Sequence, residues 1–300
     1  MKETLIGTAN TCRARLVSGV RRFFETPALA PPANRPLLER PIAIIVIFLI
    51  LSLLVMKTAD YPLGVWMKSF PEQLRGTAKW ISSFGTGLLV LSFSGVLLIL
   101  AVLIPAHKLR KSVRAGAELV ATAAAFIFLS VAGGGIVDSL LKNIIGRARP
   151  ELLETNGAFY FRPFAFHADF ASFPSGHSAT AGAMAMSLAL VFPRLRPFFI
   201  PAGVLICLSR QWVGAHWASD TLMGWGVGVA FTLSLAHTFA RRRLLFAYRA
   251  DGHLCPGEHY KKVPMILRAL LRRRLAGSKK AGKACALKSS HPSSALETQP

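Results

Sequence analysis

The chain has 300 residues, 52% of them hydrophobic and only 17% charged, with a mean hydropathy of +0.44 and a formal net charge of +22. Its apolar residues fall in blocks rather than at periods of two or 3.6, which excludes an ordinary soluble domain. The positive charge could serve nucleic acid, but its distribution along the chain argues against that and for a membrane.

Residues 12–25 place Leu16, Val20, Phe23 and Phe24 on one helical face among Arg13, Arg15, Arg21 and Arg22. This reads either as an interfacial helix on an anionic leaflet or as a disordered basic tail that sets topology. Pro27, Pro31, Pro32 and Pro36 then make a stiff linker. Uncharged or nearly uncharged runs follow at about 41–56, 85–105, 119–137, 178–193, 198–209 and 221–240, and together they predict an all-α polytopic bundle of about six transmembrane helices. The run at 198–209 spans only if helix continues to either side. The division expected is a basic segment at 1–40, a membrane domain at 41–240 and a basic tail at 241–300. Because the first long apolar run begins only after forty residues, it is expected to be a retained anchor rather than a cleaved leader.

Between the first two runs, Tyr61, Trp66, Phe70 and Trp80 stand among scattered charges, the composition of an aromatic belt at headgroup level. The third run ends in Gly133-Gly134-Gly135, which suits close helix packing better than a phosphate loop. Asp138 and Lys142 follow, one turn apart, either as an orienting pair or as ordinary helix-surface neighbours. The stretch 151–173 holds seven aromatics, including Phe159, Tyr160, Phe161 and Phe164, and could guide a lipid chain or anchor the loop at the interface; His167 and Asp169 are its other polar candidates. The run after Ser178 is rich in Ala and Gly, which lets helices approach closely. Beyond Ala240 come Arg241-Arg242-Arg243, then a basic amphipathic helix over 265–275, and a Lys, Ala, Ser and Pro-rich end over 276–300 that is expected to be disordered. Cys12, Cys207, Cys255 and Cys285 show neither a disulfide framework nor metal-ligand spacing.

With six spans and the amino terminus inside, 27 of the 36 Lys and Arg fall on inside segments. That asymmetry fits the positive-inside rule and predicts both termini in the cytoplasm, with basic N-terminal and C-terminal segments on an anionic membrane surface.

Three stretches carry chemistry. Lys142 is followed by Arg149-Pro150, Pro174-Ser175-Gly176-His177 opens the fourth run, and Ser209-Arg210 leads to His216 and Asp220. All fall at the outer ends of their spans. If helix extends from His216, Asp220 shares its face and can accept a hydrogen bond from one ring nitrogen, leaving the other nucleophilic. Each residue alone could be an interfacial anchor or a buried polar bridge; jointly, on one side of the membrane, they suit phosphoryl transfer, which needs cations, an in-line nucleophile and an acid.

In the forms K-x6-R-P, P-S-G-H and S-R-x5-H-x3-D, these stretches resemble the signature of the type 2 phosphatidic acid phosphatase superfamily of membrane lipid phosphatases, over residues 142–220. The resemblance implies that His216 is a nucleophile forming a phosphohistidine, that Asp220 orients it, and that His177 protonates the leaving oxygen. Lys142, Arg149, Arg210, Ser175 and Gly176 would hold the phosphate. No carboxylate cluster for Mg²⁺ stands among the motifs, so no cofactor or metal is expected. The implied substrate is a membrane lipid phosphate, with undecaprenyl diphosphate or a lipid A phosphate favoured over phosphatidate and phosphatidylglycerophosphate, in a bacterial inner membrane with the site on the periplasmic face. The same residues would serve a phosphotransferase, and a non-catalytic transporter or scaffold is the alternative of another class, although no internal repeat supports it. The vanadium haloperoxidases share the motifs but are soluble.

Overall fold

The computed structural model describes residues 27–104 and 109–257, together with Phe24. The basic helix read at 12–25 therefore lies outside the described residues except for Phe24, and the amphipathic and Lys-rich stretches beyond 257 lie wholly outside them.

Among the described residues, eight helices longer than one turn carry the fold: α1 (Pro41–Thr58), α2 (Asp60–Lys68), α3 (Glu72–Ser83), α4 (Leu88–Leu103), α5 (Lys111–Ile145), α6 (Gly176–Val191), α7 (Arg196–Trp212) and α8 (Ala218–Arg241). Among the described residues, four stretches are long and apolar enough to cross a membrane: Pro41–Thr58, Glu72–Leu103, Val113–Ile145 and Ala218–Arg241. The other two expected spans are α6 and α7, of 16 and 17 residues. At 1.5 Å per residue each reaches only about 25 Å, short of the roughly 30 Å hydrocarbon layer. The stretch with Tyr61, Trp66 and Trp80 forms the two helices α2 and α3.

Burial follows composition. α1 and α4 turn Ile42, Leu53, Phe93 and Ile99 outward, where a hydrocarbon surrounding solvates them, whereas α8 is lined with buried small residues and packs against α6, α1 and α5. A β-carbon at Gly228 of α8 would stand 2.0 Å from the Ala179 carbonyl oxygen of α6, so the two backbones are in direct contact, as small-residue runs permit. The Gly133–Gly135 run shares this role, since a β-carbon at Gly134 would meet Ala183 of α6 at 3.3 Å.

The far end of the bundle from the motifs is closed by a core of Phe126, Leu190, Val229, Leu233, Phe239 and Phe246. There the chain after α8 forms an antiparallel hairpin, β1 (Phe246–Tyr248) and β2 (Leu254–Pro256), inside the stretch read as the basic tail. The segment before α1 docks onto this hairpin. Glu39 accepts from His253 Nδ1 at 2.9 Å and from the Leu254 N–H at 2.8 Å, and its carbonyl accepts from His237 Nε2 at 2.7 Å. Leu29 and Arg241 add two more bonds between the same segments. Cys207 and Cys255 are free thiols.

Candidate active site

The motif residues gather where α5 ends, α6 begins, α7 ends and α8 begins. Helix α5 stops at Gly146, whose φ of +68° is a left-handed cap; a β-carbon there would also run into the Arg162 carbonyl. Beyond it, Arg147 to Arg149 run extended against residues 160–162, with Ala148 N–H donating to Tyr160 O at 3.0 Å. This directs Arg147 inward, and Arg149 toward the 168–169 turn, where its Nε donates to Ala168 O at 2.9 Å.

All the expected residues meet. A β-carbon at Gly176 would lie 3.5 Å from Lys142 Nζ and 3.2 Å from Asp138 Oδ2, which puts the lysine against the start of α6. His177 is close enough to Arg210, His216, Lys142 and Arg149 to feel the charge of each. Arg210 Nη1 donates to Ser82 Oγ of α3, so α3 steadies the third cation. Asp138 is buried, and neither carboxyl oxygen has a hydrogen-bond partner; it lies beside Lys142 without a hydrogen bond to it.

One expectation is corrected. Helix α8 begins at Ala218, so His216 and Asp220 do not share a helical face. Asp220 sits instead at the third position of α8 and accepts the Trp217 N–H at 3.0 Å as an N-terminal cap. Its Oδ2 is 3.7 Å from His216 Nδ1, beyond a hydrogen bond; the ring nitrogen instead meets the Ser172 carbonyl oxygen at 2.9 Å. A carbonyl only accepts, so Nδ1 carries the proton and Nε2 keeps its lone pair. Ser175, expected among the residues that hold the phosphate, has its N–H turned elsewhere. It donates to the Asp220 main-chain oxygen at 3.0 Å, while its hydroxyl accepts from Ser178 at 3.2 Å and keeps its own proton free to donate.

Behind His216 and Asp220 lie buried residues that the three motifs do not name, Ser172, Arg147 and Asp60. Ser172 is held three ways: its N–H donates to Arg147 O at 3.1 Å, its hydroxyl donates to Asp220 Oδ2 at 2.5 Å, and its carbonyl takes His216 Nδ1–H. Arg147, with no exposed surface, bridges Asp220 Oδ1 at 2.6 Å and Asp60 Oδ2 at 2.8 Å. It also donates to Ser219 Oγ and Ala158 O, and stacks its guanidinium 5.2 Å from the Trp217 ring. The sequence signal for Arg147 is its place in Gly146-Arg147-Ala148-Arg149-Pro150; Asp60 is signalled only as the first acid beyond the first apolar run.

The electrostatics of His216 follow from this. It lies between α7 and α8 with 3% of its surface exposed, and burial lowers its pKa from the ordinary histidine value. Asp220 opposes that shift, and Arg210 and Arg149 add to it. The ring is therefore neutral and basic at Nε2 near neutral pH, among three cations. Such an arrangement can attack an electrophilic phosphorus whose oxygens those cations hold.

The model of the PAP2 superfamily matches residues 123–244. A lipid A 1-phosphatase of Rhizobium johnstonii is 43% identical over 148 residues, covering 49% of this chain and 61% of the relative. One from Rhizobium etli is 43% identical over 148 residues, covering 49% and 64%. The match thus spans less than two thirds of the length of these relatives. Phosphatidylglycerophosphatase B of Bacillus subtilis is 28% identical over 209 residues, covering 63% of this chain and 90% of the relative. The crystal structure of a transmembrane PAP2-type phosphatidylglycerolphosphate phosphatase from Bacillus subtilis aligns over 66% of this chain and 94% of its own, with 20% identity and a TM-score of 0.47.

Proposed function

We propose, from the premise that residues 123–244 of this chain belong to the PAP2 superfamily, that the protein is an integral-membrane lipid phosphatase working through a phosphohistidine at His216. The observation that carries this is the 2.9 Å contact of His216 Nδ1 with the Ser172 carbonyl oxygen. It fixes the tautomer whose free Nε2 is the nucleophile.

Lys142, Arg149 and Arg210 hold the phosphoryl oxygens, the arginines by forked hydrogen bonds, with the Ser175 hydroxyl and the Gly176 amide beside them. Nε2 forms its bond to phosphorus as the bond to the lipid oxygen breaks. His177 gives that oxygen a proton, a contribution of about 10²–10⁴-fold. Water then adds to phosphorus, the N–P electrons return to Nε2, and His177 takes the proton. Asp220 acts through its charge and through the Ser172 hydroxyl. No step calls for a metal.

The topology supports a site on the outer face of a bacterial inner membrane, with both termini in the cytoplasm. In that arrangement α6 and α7 complete six spans by extending into their flanking turns. The basic ends, 1–40 and 241–300, face anionic lipid. Among substrates, the names of the two Rhizobium relatives favour the 1-phosphate of lipid A.

The test is phosphate release by the purified protein from lipid A, undecaprenyl diphosphate, phosphatidate and phosphatidylglycerophosphate in the presence of a chelator, beside His216→Ala. Release by wild type alone, greatest from lipid A, is expected. Equal release by both proteins would remove His216 from the chemistry, and no release by folded wild type would remove the phosphatase reading.

A further inference from the structure

Three fully buried charges lie behind the nucleophile, and they do not cancel. Arg147 stands between Asp60 and Asp220, paired with both. Two carboxylates against one guanidinium leave one net negative charge. Had Arg147 met Asp220 alone, the pair would be neutral and His216 would have no net charge behind it. The excess comes from Asp60, the first residue of α2.

Its placement is firm. Asp60 Oδ1 accepts the Ser219 N–H at 3.0 Å, and Oδ2 accepts both the Ser219 hydroxyl and Arg147 Nη2. Ser219 adjoins Asp220, so the start of α2 is fastened to the start of α8. A buried net charge is costly unless something of opposite sign forms beside it.

We propose that Asp60 is a positioning residue for phosphoryl transfer: acting through Arg147, it gives the Asp220 cluster the negative charge that balances the cation formed at His216. This rests on the phosphohistidine reading. The ring starts neutral with its proton on Nδ1. When Nε2 bonds to phosphorus and the P–O bond to the leaving group breaks, the ring becomes an imidazolium against a cluster of minus one. When water displaces it, the N–P electron pair returns to Nε2 and the ring is neutral again. Asp60 thus stabilises the phosphorylated state more than the resting one, which is the differential that lowers a barrier. The other groups around His216 do not supply this charge. Arg210 on α7, Arg149 and, across His177 on α6, Lys142 are cationic, and Asp138 on α5 stands beside Lys142 at the Gly176 end of the site.

The experiment is the pH profile of kcat, whose acid limb reports protonation of His216 in the complex. Asp60→Asn removes one negative charge, so the ring releases its proton more readily. The limb moves to lower pH by about one unit, and kcat falls by about tenfold, the equivalent of that one-unit loss of stabilisation of the imidazolium. Asp60→Asn with Arg147→Gln restores a net charge of minus one, and the limb returns to its wild-type position. Ser219→Ala cuts hydrogen bonds in the same cluster without changing charge, and the limb stays where it is.

An unmoved limb in Asp60→Asn, an equal shift in Ser219→Ala, or a double variant displaced like the single one would each overturn the proposal. If the single variant does not fold, the double variant's limb decides. Histidine NMR gives the same answer without turnover, the His216 signal being identified by its loss in His216→Ala. A chain that cleaves no lipid phosphate sinks the phosphatase reading alone, whereas an unchanged His216 midpoint in Asp60→Asn sinks this one.

Discussion

The main-chain N–H of Ser175 donates to the main-chain oxygen of Asp220 at 3.0 Å. One backbone bond thereby ties the turn that presents His177 to the helix start that governs His216. The proposed acid and nucleophile are held by peptide groups, which no side-chain substitution removes, so replacing either histidine leaves its partner in position. His177→Ala is therefore expected to lower phosphate release by about 10²–10⁴-fold while a phosphohistidine still forms from a substrate whose leaving group needs no proton, detectable by acid-labile labelling. Failure to label with such a substrate would count against separate roles for the two histidines.

Because burial lowers the pKa of His216, the acid limb of the pH profile should lie below the ordinary histidine value near 6.5. The sign for stability runs the same way. Above that value the ring is neutral folded and unfolded, and contributes nothing. As pH falls below it, the unfolded chain takes up a proton that the folded ring resists, so stability is lost until the folded pKa is reached. Thermal unfolding of wild type and His216→Gln between pH 5 and 7 checks this. The wild type should lose more stability on acidification than the variant.

Arg210 and Ser82 make a prediction about binding. Ser82→Ala frees Arg210 Nη1 from α3 and is expected to raise KM with little change in kcat, since one neutral hydrogen bond to a charged group is worth about 1.5–3 kcal/mol. Arg210→Lys should be worse in both constants, because an ammonium cannot reproduce the fork. Steady-state kinetics on both variants would contradict this if the lysine variant proved the milder.

Gly228→Ala tests the packing beneath the site. A β-carbon there would stand 2.0 Å from the Ala179 carbonyl oxygen, which is backbone and cannot step aside. Pushing α6 and α8 apart is expected to cost about 1–3 kcal/mol, the usual range for overpacking, and to lower the melting temperature in detergent. Gly116→Ala, where nothing stands within 4 Å of a built β-carbon, is the matched comparison and should be neutral or slightly stabilising.

The residues legible in the sequence are those whose chemistry is local. Lys142, Arg149, His177, Arg210, His216 and Asp220 announced themselves as ionisable groups at the ends of apolar runs, where such groups are expensive. Gly133–Gly135 and the Ala-rich run after Ser178 declared close packing by size alone. What stayed hidden depends on pairing across distance. Asp60 resembles any interfacial acid until Arg147 is seen to meet it, and Ser172 contributes a carbonyl that every residue type possesses. The His216–Asp220 spacing of four suggested a shared helical face, but Asp220 satisfies a helix N-terminus, and a capping acid must stand inside the first turn. The hairpin after α8 was hidden for a related reason: its strands are three residues long and draw their register from Glu39, far away in the chain.

Glu39→Ala tests that remote attachment. It removes the acceptor of His253 and of the Leu254 N–H, and is expected to destabilise the fold by about 1–3 kcal/mol without altering kcat, since nothing at that end touches the reacting groups. A large loss of kcat at full occupancy in folded protein would contradict the separation of the two ends.

The packing of α1 on α8 also bears on how the protein comes into being. A ribosome delivers Pro41–Thr58 early and Ala218–Arg241 late, so the first helix waits in the bilayer through most of translation for a lasting neighbour. Asp60 waits with it, because its partners Arg147 and Ser219 are made afterwards. The proposed reaction centre is therefore unfinished until Ala218–Arg241 has been made, and a nascent chain interrupted before Asp220 would lack it.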